Sequence, residues 1–193
     1  MNGPSGLHVL VGVTGGIAAY KTADLVSRLV KRGDVVTVAM TAAATKFVGV
    51  ETFAALSGRA VLSDPWDVVD DYASQHVALS RTINAMIVAP CSMNSLAKFA
   101  SGAATDMVSL LVAAIDRTAT PVVLSPSMND VMWHQPATQR NIEMLQVDGF
   151  TMLTPDTGWQ ACRTEGCGRM PEPSDLLEAI DAAMTSVNPP QTP

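Results

Sequence analysis

Charge is scarce in this chain. Only 16% of its 193 residues are Asp, Glu, Lys or Arg, against 48% hydrophobic. So little polar surface predicts a sheet buried on both faces and an outside partly covered between subunits. Long basic runs are absent and the net charge is −6, which argues against nucleic acid as a partner. The three cysteines, Cys91, Cys162 and Cys167, are too few for a disulfide framework. Their C-x4-C pair lacks further ligands, so no metal site is expected. Reduced thiols in a cytosolic protein are the simpler reading. No apolar run reaches the roughly 18 residues of a membrane span, so no membrane partner is expected. The N-terminus lacks the marks of a signal peptide.

What is present alternates. Residues 7–13 are a continuous apolar run followed at once by Thr14-Gly15-Gly16, a buried strand entering a tight turn. Ile17, Tyr20, Leu25 and Leu29 then predict a helix over 17–32, stopped by Gly33. A second strand over 34–40 completes a right-handed βαβ unit. Further helices are expected over 51–57, 95–101, 106–115 and 136–147. Strands are expected over 83–89, broken by Pro90, over 121–124, broken by Pro126, and over 150–153. Residues 63–65 read as a turn. A loop over 154–173 precedes a last helix over 174–184 with Ser174 as N-cap. The tail, 188–193, reads as disordered. The expectation is one domain over 1–187 with a Rossmann-like doubly wound parallel sheet in a flavodoxin-like three-layer sandwich. Its ligand would sit outside the carboxyl ends of the strands.

Five segments can carry chemistry. Gly12-Val-Thr-Gly-Gly-Ile-Ala18 places glycines at a strand-to-helix turn, where backbone N–H groups and the helix's positive end hold a phosphate. Thr41 stands where a dinucleotide fold carries its ribose-binding carboxylate. A mononucleotide such as FMN therefore fits better than NAD; a turn that binds nothing is the alternative. Ala89-Pro-Cys-Ser-Met-Asn-Ser95 ends a buried strand with groups able to hold a phosphate or a flavin edge, or else to cap a helix. His76 stands alone, and a lone histidine is more often structural than catalytic. His8 falls within a strand and His134 on a loop. Pro126-Ser-Met-Asn-Asp-Val-Met-Trp133 suggests a rigid ligand-facing loop, or simply packing by Met128, Met132 and Trp133. Residues 160–173 set glycines around Cys162 and Cys167: a mobile flap, a plain surface loop, or a redox cysteine pair.

These pieces in this order resemble the flavin-containing cysteine decarboxylases, from about residue 7 to 184. The resemblance rests on Gly15-Gly-Ile-Ala-Ala-Tyr-Lys21, Thr41 with Ala44-Thr-Lys-Phe-Val48, His76, Pro90-x-Ser-x-Asn94, Pro126-x-Met-Asn-x-x-Met-Trp133, and Ala161-Cys162 with Gly168-Arg-Met170. Trp66-Asp67 and Pro136-Ala-Thr-Gln139 resemble the branch that acts on phosphopantothenoylcysteine in coenzyme A biosynthesis.

The resemblance implies an FMN-dependent oxidative decarboxylation of a C-terminal cysteine. The flavin takes two electrons to leave a thioaldehyde, CO2 departs into an enethiolate, and hydride returns. It implies His76 as acid/base beside the flavin, Cys162 as proton donor on the flap, and Asn129 with Met128 against the substrate. Gly15, Gly16, Thr41, Ser92, Met93, Asn94 and Ser95 would bind FMN. It further implies a cytoplasmic, stand-alone enzyme acting on a small cysteine conjugate, in homotrimers or dodecamers with interfacial active sites. A peptidyl-cysteine decarboxylase and a non-catalytic FMN-binding regulatory protein stay open. The chain also departs from the family's pattern. Arg163 follows the flap cysteine where glycine is usual, Cys167 stands where no cysteine is expected, Cys91 and Met93 alter the second motif, and Ser127 stands where alanine is common. Lys21 and Lys98 are candidate cations for a substrate phosphate.

Overall fold

The computed structural model of the chain describes residues 6–66 and 75–187. Asp67 of the Trp66-Asp67 pair and the tail 188–193 lie outside the described residues.

Five strands, β1 (His8–Val13), β2 (Val35–Met40), β3 (Ala85–Cys91), β4 (Val122–Pro126) and β5 (Thr151–Met152), form one sheet. Its order is β2-β1-β3-β4-β5 and every pairing is parallel. The strands are Val-rich and almost free of charge, as strands covered on both faces must be. Side chains alternate between two cores. Val9, Val11 and Val13 join Val36, Val38, Ile87 and Val123 against α1 (Ala19–Arg32), α2 (Val50–Ser57) and α8 (Pro173–Val187). Leu10, Met86, Val88 and Leu124 face α4 (Met93–Ser101), α5 (Met107–Ala114) and α7 (Pro136–Val147). A further helix, α3 (Gln75–Ser80), packs on α5. This is the expected three-layer α/β sandwich, with the flavodoxin-like strand order.

Local signals set several ends. Gly33, at φ 97°, donates its N–H to the last carbonyls of α1 and stops the helix. Asp106 and Ser109 form a reciprocal capping box at the start of α5. Other ends differ from expectation. β3 runs through Pro90 to Cys91, but its register shifts between Val88 and Cys91. Proline has no N–H to give the ladder, and the side-chain alternation changes parity there: Ala85, Ile87 and Ala89 face one core, whereas Cys91 joins Met86 and Val88 in the other. α8 begins at Pro173, so Ser174 lies in its first turn, and the Asp175 carboxylate instead accepts the Glu172 N–H at 3.1 Å. His134 lies in the turn that caps a short helix, α6 (Asp130–Trp133), before α7.

The largest correction concerns the expected loop over 154–173. It holds an antiparallel hairpin, β6 (Asp156–Trp159) and β7 (Glu165–Arg169). Asp-Thr-Gly-Trp and Glu-Gly-Cys-Gly-Arg lack apolar alternation because no core covers the hairpin; polar ties described below hold it instead.

Two buried threonines fix the shifted end of β3. The Thr22 hydroxyl donates to the Ala89 carbonyl at 2.7 Å. The Thr14 hydroxyl donates to the Pro90 carbonyl at 2.7 Å and accepts the Ser92 N–H at 2.8 Å. Thr14→Val keeps the shape but takes the hydroxyl from the Ser92 N–H and leaves the Pro90 carbonyl only the Thr14 N–H at 3.3 Å. We expect it to lower the unfolding free energy by about 1–3 kcal/mol in urea denaturation.

Candidate active site

β1 feeds α1 on one face of the sheet while its neighbour β3 feeds α4 on the other. The loops therefore part at the carboxyl ends of these strands, the place where such sheets bind ligands. A hollow of about 730 Å³ opens there, within the range of small-molecule sites. Its floor is Gly15 to Ala18 after β1 and Ser92 with Met93 after β3. One wall is Ser127 to Asn129 after β4, and the hairpin closes the other side through residues 159–162 and 168–170.

Close packing explains the glycines. A Cβ on Gly15 would stand 2.6 Å from the Ala43 Cβ, so only glycine lets the first loop pass. A Cβ on Gly16 would reach 3.6 Å from the Pro90 ring and fill floor space at the base of the hollow. α1 starts without a side-chain cap at Ala18, which leaves its positive end open to an anion. α4, by contrast, is capped by Ser92, whose Oγ accepts the Ser95 N–H at 3.3 Å.

The wall carries the reactive groups. Asn129 caps α6, its Oδ1 accepting the Val131 and Met132 N–H groups at 2.9 and 3.4 Å. That fixes its Nδ2 toward Cys162, whose Sγ lies 3.4 Å away. The thiol also stands 2.9 Å from the Thr164 hydroxyl and 3.5 Å from Gln160 Oε1. Hydrogen bonds from Thr164 and then Asn129 hold this exposed thiol below its usual range. Burial instead pushes the Cys91 thiol up, so it is inert packing. Cys167 points its Sγ at the Pro155 carbonyl, 3.7 Å away, so the two hairpin thiols have separate partners and face different groups.

Of the expected site residues, the structure gathers Gly15, Gly16, Ser92, Met93, Met128, Asn129 and Cys162 around one hollow. Thr41, Asn94, Ser95 and His76 do not line it. The Thr41 Oγ1 accepts the Ala44 N–H at 3.2 Å, Ser95 is buried behind Ser92, and His76 is on α3. The two candidate cations separate. Lys98 pairs with Asp106 at 2.6 Å beside a different depression. Lys21 lines the hollow and is held by Glu172 at 2.6 Å. Gln160, Trp159 and Arg169 also line it. Gln160 opens the segment 160–173 and Arg169 falls in Gly168-Arg-Met170; in the sequence only their place beside the flap cysteine signals a role.

A family model described as Flavoprotein matches residues 3–185 of the chain. The chain is 40% identical over 176 residues to the coenzyme A biosynthesis bifunctional protein CoaBC of Haemophilus influenzae, covering 91% of this chain and 43% of that one. It is 39% identical over 184 residues to the Escherichia coli protein of the same name, covering 95% and 45%. The chain thus spans less than half the length of these curated relatives. Among solved structures it is similar to a Cys-to-Ser variant of PPC decarboxylase complexed with pantothenoylaminoethenethiol. That match has a TM-score of 0.81 and 26% identity, over 92% of this chain and 97% of the other. It is also similar to the FMN-dependent cysteine decarboxylase SpaF, with a TM-score of 0.78 and 28% identity, over 94% and 97%.

The turn that carries Cys162 holds a local conflict. The Gln160 carbonyl accepts the Arg163 N–H at 2.9 Å, and the Gln160 N–H bonds the Thr164 carbonyl at 2.8 Å. This three-residue turn needs a left-handed residue at its end, and Arg163 takes it, at φ 65°. Arg163→Gly should relieve that strain and stabilise the protein by about 1 kcal/mol in thermal or urea unfolding.

Proposed function

The chain belongs to the Flavoprotein family, and from that premise we propose that it holds FMN in this hollow and removes the carboxylate of phosphopantothenoylcysteine, a step of coenzyme A biosynthesis. The observation that carries the reading is the Cys162 thiol, 3.4 Å from the Asn129 amide, on the wall of a hollow at the carboxyl ends of β1, β3 and β4.

The residues present suit the cofactor. The missing Cβ of Gly16 leaves floor space, the uncapped start of α1 favours a phosphate, and the lining is largely apolar, as a ring system needs. Gly15, Gly16, Ser92 and Met93 would contact it directly. Thr41 and Ser95 are buried and would shape the loops, whereas Asn94 is exposed outside this chain's hollow. When bound, FMN would supply a reversible two-electron acceptor for oxidation of the cysteine's thiol side, and the thiocarbonyl so formed is the sink for the electron pair freed by CO2 loss.

The chain's own groups do the rest. Asn129, oriented by its cap on α6, offers its Nδ2 to the substrate carboxylate, with Met128 against the substrate chain. Cys162, solvent-exposed and made more acidic by its hydrogen bonds, delivers the proton that completes the product. Lys21, and Arg169 beside Glu172 at 3.5 Å, place positive charge on the wall for an anionic substrate. His76, the acid/base of this reading, stands on α3 and does not line the hollow. A second copy would supply it, in a homotrimer or dodecamer with interfacial sites. Among the described residues no helix is long and apolar enough to cross a membrane; the reading places the enzyme in the cytoplasm, where coenzyme A is made.

We expect the purified protein to be yellow and to release CO2 from phosphopantothenoylcysteine, with little activity on peptides ending in cysteine. Cys162→Ser should stop at an enethiol lighter than the normal product by two hydrogen atoms, read by mass spectrometry. A colourless protein that takes up no FMN, or normal product from that variant, overturns the reading. For the assembly, His76→Asn and Cys162→Ser should each be nearly inactive alone. Co-expressed, they should regain part of the wild-type rate, because some interfaces then carry both native residues. No regain in mixed assemblies would place each site within one chain.

A further inference from the structure

Resting on the decarboxylase reading above, we propose that Gln160 is the positioning residue of this site, its buried carboxamide setting where the Cys162 thiol stands and which way its proton is held. A carboxamide offers two N–H donors and one oxygen with two lone pairs, and here all four are used. Nε2 donates to the Cys167 carbonyl at 2.8 Å and to the Met128 carbonyl at 3.4 Å. Oε1 accepts the Asp130 N–H at 3.2 Å and faces the Cys162 Sγ at 3.5 Å. One side chain, 7% exposed, thus ties β7, the loop after β4 and the cysteine turn together. Its backbone closes the same turn through Arg163 and Thr164.

Other contacts hold the hairpin's base, and at its tip the Asn129 amide reaches the Cys162 sulfur at 3.4 Å. Asp130 Oδ1 accepts the Cys167 N–H at 2.8 Å, and the Met128 N–H bonds the Gly168 carbonyl at 3.0 Å. At the tip, three groups surround the sulfur. The Thr164 hydroxyl and the Asn129 amide favour the thiolate. Gln160 Oε1 is the acceptor among them, and an acceptor favours the protonated thiol. A proton donor needs both: acidity enough to give the proton and a partner that keeps it until needed. The ionisable side chains nearby are otherwise engaged. Asp130 is turned to Cys167 N–H and lies 3.5 Å from His134, and Lys21 and Arg169 are turned to Glu172. Arg163 and Glu165 flank the thiol along the chain on the exposed hairpin. Hydrogen bonds, rather than ion pairs, therefore govern the thiol.

The test reads the alkylation rate of Cys162 by iodoacetamide against pH in the full chain, with kcat and KM beside it. Trypsin cuts after Arg163, so mass spectrometry separates Cys162 from Cys167. Gln160→Glu keeps the shape but sets a carboxylate beside the sulfur and against two carbonyls. The alkylation midpoint should rise by about one pH unit, and kcat should fall about tenfold or more with KM within about twofold. Gln160→Met removes the acceptor without adding charge, so the midpoint should fall while kcat drops similarly. A purely structural role would move both midpoints the same way, or neither, and either result overturns the proposal. Should Gln160→Glu fail to fold, Gln160→Met decides alone: an unchanged or raised midpoint ends the idea. Alkylation needs no turnover. If the wild type releases no CO2 while the midpoints move as stated, the decarboxylase reading falls and the role of Gln160 stands.

Discussion

Everything in this molecule follows from the divergence of two adjacent parallel strands. β1 and β3 lie side by side, yet α1 covers one face of the sheet and α4 the other. Their loops must therefore separate, and the sheet ends in a crevice rather than a packed edge. The crevice has consequences for sequence. The first loop has to slip past Ala43, which demands glycine at 15. The second has to stop pairing without unravelling, which the shifted register at Pro90 and the Thr14 and Thr22 hydroxyls accomplish. Both threonines are fully buried. Their hydroxyls bond backbone carbonyls where the ladder is interrupted in the core.

The crevice alone is an open notch. The hairpin makes it a site, and it does so almost entirely with polar contacts. Gly168 sits at φ 127° and presses so close to the Met128 carbonyl that any Cβ would collide with it. Gln160 and Asp130 bridge the same seam. A lid held by hydrogen bonds differs from one held by apolar burial. Water competes for each bond, so the net gain per bond is only about 1 kcal/mol, and a few such bonds can hold a lid without locking it. The geometry that brings a thiol within reach of Asn129 is thus compatible with a lid that lets substrate in.

How far the sequence revealed this depended on what held each part together. The sheet was legible because its strands are covered on both faces and read as unbroken Val-rich runs. So were the first glycine turn, the stop at Gly33 and the motif around Asn129. The hairpin was illegible as strands for the converse reason: with no core to face, β6 and β7 carry no alternation, and Gly166 and Gly168 read as loop. The cations show the same limit. Lys21 and Lys98 looked equivalent in the sequence, but only Lys21 follows β1 into the crevice, while Lys98 is committed to Asp106 on α4's far end. Thr41, Asn94 and Ser95 were legible as neighbours of the crevice, but the sequence did not show that their side chains leave its lining to Ser92 and Met93. Arg163 is the reverse case. Its departure from the family's glycine was visible in the sequence, and the left-handed backbone that makes glycine usual became visible only in three dimensions.

The scarcity of charge has its counterpart at the mouth of the hollow. Ile17, Tyr20, Met132 and Trp159 line it, yet 57%, 61%, 40% and 66% of each is exposed. Single exposed apolar residues need no explanation, but four around one opening form a patch. A ligand in the crevice covers the inner faces of such side chains and leaves their outer faces wet. A second copy of the chain docked across the mouth would cover those outer faces. The same docking would bring to the hollow groups that this chain holds elsewhere, of which the imidazole on α3 is the one the proposed chemistry lacks. Under the proposed assembly, composition, exposed rim and missing acid/base would share one cause: a site completed by contact with another subunit.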